Sequence, residues 1–74
     1  MPKLPVISGG QCISALERAG YRITHTRGSH VRMRCPNRKP VTVPDHHTLD
    51  RGTLRAILRT TEISVEEFII LLKE

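Results

Sequence analysis

The sequence predicts a two-layer α+β domain: one helix, three antiparallel strands and two further helices, with the helices on one face of the sheet. Three observations carry this prediction. Apolar residues recur at helical spacing from Cys12 to Ala19, and again from Leu54 onward. Between Tyr21 and Cys35 the apolar period is two, the spacing of a strand. Ser8-x-x-Gln11 and Ser64-x-x-Glu67 have the form of capping boxes, which open helices. The 74 residues fit one domain spanning 1–74. A chain of this size buries only about 60% of its unfolded surface, which leaves little room for an internal cofactor cavity.

The first helix begins after Ser8, buries Cys12, Ile13, Leu16 and Ala19, and ends where Gly20 can take a left-handed conformation. Pro2 and Pro5 keep the preceding segment out of it. Two strands follow, separated at Gly28-Ser29. A two-residue loop would place Ile23 among polar side chains, because a one-residue slip moves every side chain to the other face. A three-residue turn with Gly28 left-handed and bulged restores the agreement. That register puts Tyr21, Ile23, Val31, Met33 and Cys35 on one face, with His25 beside them. The other face carries Arg22, Thr24, Thr26, His30, Arg32 and Arg34. Residues 36–40 read as a turn cluster, Val41-Thr42-Val43 as a third strand closed by Pro44, and residues 45–50 as a loop. The second helix enters near Arg51-Gly52 and is broken by Thr60-Thr61. In the third, Ile63 and Phe68 form a hydrophobic staple, and Glu66 and Glu67 suit the positive end of the helix dipole.

Net charge is +5, and nine of the twelve cations are Arg. The charge is local. Residues 21–39 hold Arg22, Arg27, Arg32, Arg34, Arg38 and Lys39 with no acid, whereas residues 62–74 carry four glutamates and one lysine. A block of this sign suits a polyanion. His30, Arg32 and Arg34, at alternate positions of a strand, share one face. Guanidinium groups bind phosphate oxygens in a bidentate manner, and an imidazole can exchange a proton in the same field. Those residues suit metal-independent cleavage of RNA, with His30 helping the ribose 2′-OH attack its own phosphate and the arginines offsetting charge on the phosphorane. Ser29 and Gly28 shape the turn beside the phosphate, and His46 is a candidate second acid/base.

Other chemistries find little support. Asp45 and Asp50 are isolated, and His46, His47 and Cys35 match no standard zinc spacing. Ser29 has no orienting Asp near it in sequence, so it does not read as a nucleophile. Gly9-Gly10 lacks a phosphate-loop fingerprint and reads as flexibility at the helix start. With only Tyr21 and Phe68 as aromatics, base stacking cannot dominate. No cofactor is expected. The two cysteines read as reduced thiols of a cytoplasmic protein. The longest apolar run, Phe68–Leu72, is far short of the ~20 residues of a membrane span, and Met1–Pro5 has no apolar leader core.

Several stretches together resemble the HicA-type toxins, the mRNA interferases of HicA/HicB toxin–antitoxin systems. They are Met1–Gly9, Ala19-Gly20-Tyr21, Arg27-Gly28-Ser29-His30, Val41-Thr42-Val43-Pro44 with His46, Gly52–Arg59 and Ile63–Phe68. Two departures stand out: Gly10 replaces a lysine found in many relatives, and the loop from Pro44 to Gly52 is shorter than in several of them. The resemblance implies a fold like the double-stranded-RNA-binding domain and a catalytic role for His30. It also implies cleavage of mRNA and a HicB-type antitoxin that covers the active face. The expected state is a monomer when free and a hetero-oligomer with the antitoxin. The rival readings are a non-catalytic double-stranded-RNA-binding module and an interaction domain whose arginine patch binds an acidic protein.

Overall fold

The computed structural model describes residues 3–74; Met1 and Pro2, and the reading of Pro2 as a helix excluder, lie outside the described residues. Helix α1 (Gly9–Arg18) leads into a sheet of β1 (Arg22–Arg27), β2 (His30–Cys35) and β3 (Arg38–Pro44), followed by α2 (Arg51–Thr61) and α3 (Val65–Lys73). The sheet order is β1-β2-β3, antiparallel throughout. α1 and α2 pack against β3, and α3 packs on α1. The result is the α+β, double-stranded-RNA-binding-domain-like architecture, with one sheet face covered. The core joins Leu16, Met33, Val43, Leu54 and Phe68, all essentially inaccessible to solvent. No helix among the described residues is long and apolar enough to cross a membrane.

Local chemistry sets the helix ends. Ser8 and Gln11 complete their box: the Gln11 N–H donates to Ser8 Oγ at 3.1 Å, and the Ser8 N–H donates to Gln11 Oε1 at 2.9 Å. α1 closes in a Schellman motif with Gly20 at φ 109°. The Tyr21 N–H donates to Leu16 O at 3.0 Å, and both side chains are buried. α2 closes the same way, with Glu62 at φ 58° and the Ile63 N–H on Leu58 O. Thr60 and Thr61 therefore lie inside α2, and the break comes at Glu62. The start of α2 is capped by Asp50, whose carboxylate accepts from the Thr53 N–H at 2.6 Å. That bond holds the Asp50 carboxyl below its ordinary range. At α3, Ser64 Oγ accepts from the Glu67 N–H.

The sheet departs from the sequence reading in three ways. β3 starts at Arg38 and includes Pro44, so the turn shrinks to Pro36-Asn37, with Asn37 left-handed at φ 68°. Tyr21 precedes β1 and is only 1% exposed, its hydroxyl donating to Lys39 O at 2.8 Å. The first hairpin turns on two residues, because Arg27 pairs with His30. Gly28 at φ 59° with Ser29 following is the pattern of a type II′ turn, whose twist suits a hairpin. The bulge instead lies inside β1, between Ile23 and His25. Ile23 still faces Met33, but beyond Thr24 the faces exchange: His25 pairs with Arg32, and Thr26 with Val31. Thr26 thus leaves the basic face and His25 joins it. β1 lies beyond the helical cover, so even Ile23 is 47% exposed.

Candidate functional site

The uncovered sheet face gathers the cations. Cross-strand partners lie on the same face, so the pairs Arg22–Arg34, His25–Arg32 and Arg27–His30 stack along the hairpin. All six side chains are exposed. No acid occurs between Tyr21 and Pro44, and Arg22 and Arg34 meet directly across the ladder as like charges, which destabilises the free hairpin. An anion on this face relieves that repulsion.

Distance from His30 separates these cations. Arg27, its cross-strand partner, is about 5 Å away between Cα atoms. Arg32, two residues along the strand, is about 7 Å away, and Arg34 about 13 Å. Arg32 is further tied by its Nη1, which donates to Thr42 Oγ1 at 3.1 Å on β3. Of the four arginines on the face, Arg27 is therefore nearest to His30, and Arg22 and Arg34 are the farthest.

The loop after β3 approaches the same end of the hairpin. His30 pairs with Pro44, and the Asp45 N–H donates to Ser29 O at 2.6 Å. Ser29 Oγ and His46 Nε2 are hydrogen-bonded at 3.2 Å, which orients the imidazole beside the turn that carries His30. The loop is fixed from behind by the start of α1. The Gly9 N–H donates to His46 O and the Leu49 N–H to Ile7 O, each at 2.8 Å. Gly9 is not a flexible joint. A Cβ there would collide with Pro44 O and lie 2.7 Å from Asp45 Cα, so only glycine lets α1 approach this closely. Ser8, Gly10, Asp45, His46 and His47 line an open cleft of ≈ 640 Å³ at this end.

The structure thus brings His30, Ser29, Gly28 and His46 to one end of the sheet, with Arg32 next and Arg22 and Arg34 at the far end. Cys35 closes β2 at the opposite end from Ser29, about 20 Å along the strand, so it cannot share a metal with His46. Among the described residues no three His, Cys, Asp or Glu side chains gather as a metal site. Cys12 lies in the core, where burial pushes its thiol up to about 12 and keeps it neutral. His25 and Arg27 are the residues the sequence reading left off this face. The signal was present in Gly28-Ser29: glycine at the first position of a two-residue loop is the type II′ pattern, which moves the required bulge into the strand.

The family described as the HicA toxin of bacterial toxin–antitoxin matches residues 9–63, a span that runs from Gly9 through the hairpin and the His46 loop to the end of α2. No curated protein matches the chain.

Proposed function

The chain belongs to the HicA toxin family of bacterial toxin–antitoxin systems, and on that premise we propose that it acts, as a single domain, as a metal-independent endoribonuclease on mRNA. His30 serves as general acid/base. It takes the proton of a ribose 2′-OH, the 2′-oxygen bonds to phosphorus, and the bond to the 5′-oxygen breaks. His46, its ring held by Ser29, returns a proton to the departing 5′-oxygen. Arg27 and Arg32 offset the charge on the phosphorane. Arg22 and Arg34 hold phosphates farther along the strand. Gly28 and Ser29 shape the turn that presents His30.

One observation carries this reading: His30 stands exposed, opposite Arg27 and two residues along the strand from Arg32, at the end of the sheet reached by His46. A HicB-type antitoxin laid over this face neutralises the cations and blocks His30, and complementary charge speeds its association.

RNA cleavage in the presence of EDTA, comparing wild type with His30→Ala, tests the reading. The variant loses at least ~100-fold in rate while keeping its fold and most of its affinity for RNA. Undiminished cleavage by His30→Ala refutes the catalytic role of His30. Binding of duplex RNA with no cleavage by either protein establishes instead a non-catalytic double-stranded-RNA-binding module on the same face.

A further inference from the structure

A second basic surface lies on α2. Arg51, Arg55 and Arg59 recur every four residues, so they form one stripe rising about 6 Å per step and about 12 Å in all. α2 contains no acidic residue. Like charges four apart on a helix repel, and Arg51 stands in the first turn, where the dipole disfavours a cation. Asp50, the N-cap, is committed to the Thr53 N–H. The stripe therefore lowers the stability of the free helix without an internal counter-charge along its length.

This stripe borders a groove of ≈ 600 Å³, where Lys3 adds a fourth cation. Leu58 and Ile63, the apolar pair of the Schellman turn, form its floor, and no acid is among its lining residues. α2 packs against β3 on the covered side of the sheet, so this groove is separate from the surface that carries His30.

We propose that this groove docks an acidic amphipathic helix of the antitoxin. Carboxylates four residues apart on such a helix repeat every ~6 Å, which matches the arginine spacing. Apolar residues between them meet the Leu58–Ile63 floor, as in other helix-in-groove contacts. A nucleic acid fits less well. An apolar floor offers nothing to phosphates, and the two aromatic residues, Tyr21 and Phe68, are buried and cannot stack on bases. The proposal rests on the family's antitoxin partner and not on the role of His30. An antitoxin held at the groove keeps its inhibitory surface at high effective concentration over the sheet face.

The test titrates the cognate antitoxin against the wild-type toxin, R51E/R55E/R59E and Arg55→Gln, and measures RNA binding and RNA cleavage by each free toxin. The triple variant weakens antitoxin binding by at least ~30-fold and flattens its salt dependence. Arg55→Gln, which disturbs no buried side chain, weakens it by ~3- to 10-fold. RNA cleavage stays within about twofold of wild type for both variants. Unchanged antitoxin affinity overturns the proposal. So does a parallel loss of RNA binding by folded Arg55→Gln, which identifies the stripe as a nucleic-acid surface. Loss of cleavage by His30→Ala alone bears only on the catalytic reading.

Discussion

The two edge strands of this sheet serve opposite ends. β3 buries Val41 and Val43, lies under α1 and α2, and is tied at its start by the Arg38 guanidinium, which donates to Thr61 O at 2.7 Å. β1 buries none of its six side chains. It is held by its ladder to β2 and sets Arg22 directly against Arg34. The difference teaches how so small a domain tolerates a crowded basic face. The apolar contacts that stabilise it are concentrated around β3 and the helices, and the strand that bears the electrostatic strain contributes little packing to lose.

Substitutions can break or sharpen that division. On the packed side, Phe68→Ala empties the fully buried centre of α3 and lowers unfolding free energy by about 3–5 kcal/mol, read by urea denaturation. A loss below ~1 kcal/mol would mean that the core does not centre there. Paired substitutions compare the strands directly. Val43→Thr buries a hydroxyl in β3 and costs about 1–3 kcal/mol. Ile23→Thr in β1 stays within ~0.5 kcal/mol. Equal losses would erase the distinction between the edges. The smallest effect is on the charged side: Arg27→Ala reduces the slope of log affinity for single-stranded RNA against log salt by about 0.7. Thr26→Ala, whose side chain points to the other face, leaves the slope unchanged. If Thr26 mattered and Arg27 did not, the bulge at Thr24 would be misplaced.

Much of this was legible in the residues. Ser8, Gln11 and Gly20 bound α1 because capping is local chemistry, decided within four residues. His30, Arg32 and Arg34 share a face because alternation along one strand needs no partner. What escaped was relational. The position of one inserted residue in β1 decides whether His25 and Arg27 or Thr26 joins the basic face, and alternation within a single strand cannot locate a bulge. The Ser29–His46 contact joins residues 17 positions apart through a loop held by Gly9, and nothing in the local sequence announces that approach. Asp50 was readable as a cap, standing three residues before Thr53, but the lack of a following Gln or Glu hid it.

The bare edge of β1 has a consequence for solubility. An uncovered strand offers its outer backbone groups to any other strand, including that of a second copy. Here the strand begins and ends in arginine and carries no acid. Two such edges brought together would set Arg22 and Arg27 of one copy against the same two arginines of the other. The charges proposed to hold a polyanion therefore also keep free copies of the toxin apart, and any change that makes this hairpin less basic raises its tendency to self-associate.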